Sequence, residues 1–349
     1  MTIRVASRIA GLLTAGAVLG LLAAGCGGGD DTATPTTETT QAQPALQVGL
    51  IVDQGQLTDH GFNELAYKGL KRAERDLGIT GRVVESKSAA DYLPNMSSLA
   101  RQGFDLVIGV GFAQGDAIAR TAQKFPETKF AIVDVDQASL KGTPANVEGL
   151  LFREQEVGYI VGYLAALTAK RDGGKAISAV GGFKEPPVDR YIAGYRAGAL
   201  AAVPGTKVAY AYSQDWDDQA KCKELGLNQI AAGSKVVFQV AGGCGLGALS
   251  AAKDRAVWGI GVDADQSFLG PHVLTSALKG VDAAVYLTVK AVLDGTWKGG
   301  RNAEFGLDQD GVGLGKVSPK VAKADVAKVT KIEQQIAAGE IADIPTTVK

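Results

Sequence analysis

Leu46-Gln47-Val48-Gly49-Leu50-Ile51-Val52-Asp53 is a short apolar run closed by an acidic residue, and a helical pattern follows it from about Asn63 to Leu77, where Gly78 stops it. The same grammar recurs along the chain. Arg82 to Glu85, Leu106 to Val110 and Lys129 to Asp134 read as further strands, with a helix from about Gln114 to Phe125 between the last two. A second series opens after Asn146. It has helices near 154–170, 189–202, 219–230 and 246–255, alternating with strands near 175–180, 207–212, 235–240 and 257–262. Strand and helix in alternation predict βαβ units and mostly parallel sheets, an α/β fold of two Rossmann-like lobes. Two such sheets in series direct the carboxyl ends of their strands at a shared crevice, where open α/β sheets bind ligands.

The flanking sequence sets the compartment. Arg4 and Arg8 precede an apolar stretch from Ile9 to Ala24, which ends in Leu22-Ala23-Ala24-Gly25-Cys26. This reads as a signal peptide over residues 1–26. Its end resembles a bacterial lipobox, with Cys26 as the acylated residue and Ala23 where leucine is usual; an uncleaved membrane anchor is the alternative. Residues 27–45, rich in Gly, Thr, Gln and Pro, predict a flexible tether. With 349 residues the chain can hold two domains, and 36 Lys+Arg against 37 Asp+Glu offer no broad basic surface, which excludes nucleic acid as an expected partner. Cys222 and Cys244 remain; an oxidising compartment favours a disulfide between them, two unpaired thiols being the other reading.

Several strings resemble, in order, the motifs of the basic membrane protein family, the PnrA-like nucleoside-binding lipoproteins of ABC importers. They are Val52-Asp53-Gln54-Gly55-Gln56-Leu57-Thr58-Asp59-His60-Gly61-Phe62-Asn63, Asn146 to Glu156 with Gly158-Tyr159, Arg190 to Tyr195 with Gly198, Cys244-Gly245-Leu246-Gly247, Gly261 to Gln266, and Thr275 to Lys279. The resemblance covers roughly residues 46 to 315. It implies a type I periplasmic-binding-protein fold, two lobes joined by a hinge of several strands and closing on a purine or related nucleoside in a central cleft. Lobe 1 is expected to hold residues 46–150 and 275–302, and lobe 2 residues 151–274 and 303–349.

For the ligand site, the resemblance implies that a nucleoside base lies between Phe62 and Trp216, one ring from each lobe, with Trp216 standing where the family usually has phenylalanine. Asp53 at the first strand tip can accept hydrogen bonds from a base, and Asn63 can both donate and accept, unless it caps the helix it opens. Asp116 resembles the family's second base-contacting carboxylate, with helix capping as the competing role. Asp263 and Lys279 match the ribose positions; a salt bridge between lobes is the alternative for Lys279, and the motif spacing here is shorter than the family's. Phe183 is a weaker candidate for the cleft wall. The expected protein is a monomeric solute-binding lipoprotein of an ABC importer, without cofactor or metal, membrane-bound through its lipid and partnered by permease and ATPase subunits. No Ser-His-Asp elbow or metal-ligand cluster is legible, and Gly242 to Gly247 lacks the lysine of a phosphate loop, so catalysis is not expected. A sugar or other small polar ligand, or a sensor or antigen role, are the alternatives.

Overall fold

Apolar runs that must be buried on both faces become the inner strands of parallel sheets. In the computed structural model, which describes residues 45–348, β1 (Gln47–Val52) and β3 (Leu106–Val110) are such strands. The predicted signal peptide, Cys26 and nearly all of the expected tether lie outside the described residues. β1 pairs in parallel with β2 (Thr80–Glu85) and β3, so that Leu50 faces Val83 on one side and Ile108 on the other. β4 (Lys129–Val133), β5 (Val147–Phe152) and β11 (Arg301–Phe305) complete a parallel sheet in the order β11-β5-β4-β3-β1-β2. Helices α1 (Phe62–Leu77), α2 (Tyr92–Arg101) and α3 (Gly115–Lys124) connect its strands.

The second sheet has the same plan. β6 (Ala176–Gly181), β7 (Lys207–Tyr212), β8 (Val236–Val240), β9 (Trp258–Asp263), β10 (Val273–Lys279) and β12 (Val312–Leu314) lie in the order β12-β10-β9-β8-β6-β7, with β12 antiparallel at the edge. Its helices are α4 (Glu154–Arg171), α5 (Pro186–Ala202), α6 (Gln219–Ala231) and α7 (Gly245–Asp254). α8 (Val281–Leu293) returns to pack on α1, and α9 (Lys323–Ala337) lies against α4.

The chain therefore passes between the sheets after Phe152, after Lys279 and after Phe305. This shifts the expected boundaries. β10 belongs to the second sheet, because the short link from β9 leaves it paired beside that strand, with Ala277 opposite Val262; the chain returns to the first sheet only at α8.

The tightest helix contact is between α4 and α5. Added Cβ atoms on Gly158 and Gly162 would lie 2.4 and 2.0 Å from the carbonyl oxygens of Tyr191 and Tyr195, and those on Gly194 and Gly198 would lie 2.2 and 1.9 Å from those of Gln155 and Tyr159. Glycines spaced four apart on both helices let the backbones touch, and this seats Tyr191 and the first turn of α4 at the cleft. Cys222 in α6 and Cys244 before α7 are disulfide-bonded, with Cα atoms 5.5 Å apart. Gly198→Ala forces the two backbones apart; overpacking of this kind costs about 1–3 kcal/mol, read as a lower urea midpoint at unchanged m-value.

Candidate functional site

The carboxyl ends of the two sheets face a shared cleft lined from both lobes, the place where open α/β sheets bind ligands. From the first sheet, the loop after β1 brings Asp53, Asp59, Phe62 and Asn63; the turn after β3 brings Phe112; and β4 ends at Asp134. From the second come Glu185, Tyr191, Trp216, Asp263 and Lys279.

Asp59, not Asn63, caps α1. Its carboxylate accepts from the backbone N–H groups of Gly61 and Asn63 at 2.9 Å and of Glu64 at 3.1 Å, satisfying donors that a helix start leaves open. The Asn63 side chain is thereby released: its oxygen accepts from the Asp53 amide at 3.3 Å, while its amide nitrogen has no protein acceptor among the described residues. Asp53 accepts from the Gln54 amide at 2.7 Å and from the Tyr92 hydroxyl. Burial pushes its pKa up to about 6; the Tyr92 and Gln54 hydrogen bonds oppose the rise, and Asp134 adds to it. Gly111, with φ +113°, leaves room for this carboxylate, since a Cβ there would lie 2.1 Å from its Oδ2.

Asp134 and Asp263 end β4 and β9 in the left-handed region, with φ of 71° and 62°. Non-glycine residues adopt it at a cost of about 1–3 kcal/mol and hold it where the surroundings demand it. Lys279 supplies that demand for Asp134. Its ammonium donates to both Asp134 carboxylate oxygens at 2.7 Å and to Glu154 Oε1 at 2.9 Å, joining the end of β10 in one sheet to the end of β4 in the other. The side chains of Lys279, Asp134 and Glu154 are only 2%, 5% and 0% exposed. Burial alone would lower the lysine pKa, but Asp134, Glu154 and Asp263 outweigh it and hold the ammonium charged. Asp263 accepts from the Tyr191 hydroxyl at 3.3 Å. Burial raises its pKa to about 7, Lys279 opposing and Asp59 and Asp134 reinforcing.

Phe62 and Trp216 reach the cleft from opposite lobes. Lys279 Nζ lies 5.1 Å from the centre of the Phe62 ring. The indole of Trp216 lies on Gly182, where a Cβ would come within 2.2 Å of it, and leans on Phe183 with ring centres 5.3 Å apart; Phe183 thus props the indole. Cys244 holds the Trp216 backbone from behind through a 2.9 Å hydrogen bond to its carbonyl.

Six of the seven ligand candidates from the sequence, Asp53, Phe62, Asn63, Trp216, Asp263 and Lys279, share this cleft. Asp116 does not. Its side chain is 70% exposed and pairs with Arg120 at 3.5 Å. The reason is the tight turn Phe112–Gln114 after β3, which buries Gln114 through hydrogen bonds to the carbonyls of Ile51 and Val110 at 3.1 and 2.7 Å and leaves Asp116 facing outward. Sequence reasoning missed Phe112, Asp134, Glu185 and Tyr191. Asp134 carried a signal, an acidic residue at a strand end like Asp53, and Tyr191 lay inside a quoted motif; Glu185 carried none. Among the described residues no group of three or more His, Cys, Asp or Glu is placed to hold a metal ion, and no helix is long and apolar enough to cross a membrane.

A hinged pair of α/β lobes closing on a buried cleft defines a solute-binding protein. A solute-binding protein of an Aeropyrum pernix ABC transporter superposes with a TM-score of 0.78 at 27% identity, over 86% of this chain and 94% of that one. Residues 46–346 match the family of PnrA-like ABC transporter substrate-binding proteins, and the chain belongs to that family. A CD4+ T-cell-stimulating antigen of Listeria innocua is 32% identical over 95% of both chains. A protein of Lactococcus lactis named ABC transporter nucleoside-binding protein BmpA is 32% identical over 80% of this chain and 86% of its own. The chain is thus the extracytoplasmic substrate-binding component of an ABC transporter, with a small-molecule ligand and a permease as partners.

Two expectations follow. Lys279→Met removes the cation between two buried carboxylates and should cost about 3–5 kcal/mol at neutral pH, measured by urea denaturation. Asp53, Glu185 and Asp263 have pKa values raised to about 6, 7 and 7, against about 4 when unfolded. Their contribution to stability is complete below the unfolded value and lost as pH rises through the folded ones. Burial also raises the pKa values of Asp59, Glu148, Glu154, Glu156 and Glu333, while His272, lowered by burial and by Lys253, acts in the opposite sense. The melting midpoint of the ligand-free protein should therefore rise as pH falls from about 8 to about 5.5, with a shallower slope in Asp263→Asn; a falling midpoint over that range contradicts the arrangement.

Proposed function

We propose that this protein captures a nucleoside between its lobes and delivers it to an ABC permease, held at the outer face of the cell membrane by a lipid on Cys26. The observation that carries the reading is that Phe62 and Trp216, from different lobes, line one cleft with Asp53 and Asn63. A planar base has two faces for the rings and an edge for the polar groups, and paired ribose hydroxyls suit Asp263 and the Lys279–Asp134 pair. The nucleoside-binding name of the Lactococcus lactis relative supports the same class. The role is capture rather than catalysis. Ligand binds first to one lobe, and closure adds the second ring, so ligand shifts the population toward the closed form that the permease recognises.

The test is calorimetry against purine and pyrimidine nucleosides, free bases and pentoses. Nucleosides should bind with little salt dependence, because the ligand is neutral. Trp216→Ala should weaken that binding by about 1–3 kcal/mol, the range of base–aromatic stacking. Binding of pentoses without nucleosides, or full affinity in Trp216→Ala, overturns the reading.

A further inference from the structure

Glu185 stands immediately before α5, where a helix ordinarily recruits a side chain to cap its open N–H groups. Here the first two helical residues are Pro186 and Pro187, which have no N–H to cap. A proline also holds the residue before it extended, and Glu185 has φ −124° and ψ 155° with no capping hydrogen bond. Of the N–H groups a cap side chain serves, the second helical one is thus absent, and the Glu185 carboxylate makes no capping bond and lies at the cleft wall. Among the described residues Glu185 has neither a hydrogen-bond nor an ion-pair partner for its side chain.

Its surroundings are acidic. Asp134 is matched by Lys279, but among the described residues the Asp53 carboxylate is met only by the neutral Tyr92 hydroxyl and the Gln54 backbone amide. Burial, then Asp53 and Asp134 across the cleft, raise the Glu185 pKa to about 7. Two carboxylates, one from each lobe, thus face a shared space with no cation assigned to them, and Asn63 offers an amide donor to the same space. A ligand edge that fits supplies two neighbouring N–H donors and one acceptor. Adenine, cytosine, uracil and hypoxanthine each present a single donor group on the pairing edge; guanine presents a ring N–H beside an exocyclic amine, with a carbonyl oxygen next to them.

We infer that Glu185 is a specificity-determining residue and that, on the nucleoside reading above, the cleft prefers 2-amino-6-oxopurine nucleosides. Glu185 and Asp53 accept from the donor pair while Asn63 donates to the carbonyl. Glu185 takes the place of the second carboxylate that sequence comparison assigned to Asp116.

The experiment is titration of the full chain in detergent with guanosine, inosine, adenosine and cytidine, for the wild type, Glu185→Gln and Glu185→Asp. Guanosine should bind tightest to the wild type, with inosine weaker for want of the 2-amino group. Glu185→Gln should weaken guanosine by about 10- to 100-fold, the range for a hydrogen bond to a charged group, while adenosine stays within about threefold, so the preference collapses. Glu185→Asp keeps the charge and should retain part of it. Matching melting curves for the three proteins establish that the comparison is between folded chains. If the wild type binds nucleosides but does not favour guanosine, or if Glu185→Gln leaves the guanosine-to-adenosine ratio unchanged, the inference fails and the nucleoside reading stands. If the wild type binds no nucleoside, both fail.

Discussion

The ammonium of Lys279, shared between Asp134 and Glu154, is the interaction on which the site depends. It joins the ends of two strands from different sheets to the first turn of α4, at the point where the chain leaves the first sheet for the second. Buried charges are tolerated only when paired with good geometry, since each pays a desolvation penalty of several kcal/mol. Arg190, 3.5 Å from Glu154, extends the network toward α5. The result is a cleft floor in which Asp134, held by Lys279, and Asp263, held by the Tyr191 hydroxyl, keep left-handed backbone angles.

Around this floor the fold assigns different physics to different walls. Glycines on α4 and α5 give close backbone contact and seat Tyr191 against Asp263. Asp59 takes the helix-capping task and frees Asn63. The disulfide and the Gly182 surface fix Trp216, whose large indole fits only because no side chain occupies that spot. Across the mouth, the Gln266 side chain donates to the His60 carbonyl at 3.1 Å, and the rings of His60 and Phe268 meet edge-on at 5.2 Å. These contacts join the loop after β1 to the loop after β9 and so tie the two lobes together beside the site.

Much of the fold was legible. The alternation of apolar runs and helical patterns located β1 to β4, β6 to β9 and most helices within a few residues, while β5 was quoted as a motif without being read as a strand. α2, α8 and α9 were not assigned. α2 opens with Tyr92-Leu93-Pro94-Asn95, whose proline and asparagine read as a turn, although proline is acceptable in a first helical turn. β10 was placed in the wrong lobe because an isolated apolar run does not say which sheet edge it will join. In the site, Asp53 was visible from its place at a strand end, while Phe62, Asn63, Trp216, Asp263 and Lys279 were reached through the family resemblance.

By itself, the sequence determined the α/β class and the two-lobed plan, because periodicity is a local property of the chain, while the family and six of the seven chosen cleft residues were reached through resemblance to the family's motifs. Only the tertiary structure decided which carboxylates meet. Asp116 turns outward on a tight turn, Glu185 makes no capping bond and lies at the cleft wall, and Lys279 finds partners 145 and 125 residues away. Charge pairing and burial depend on distances between segments remote in the chain, and no local pattern encodes those distances.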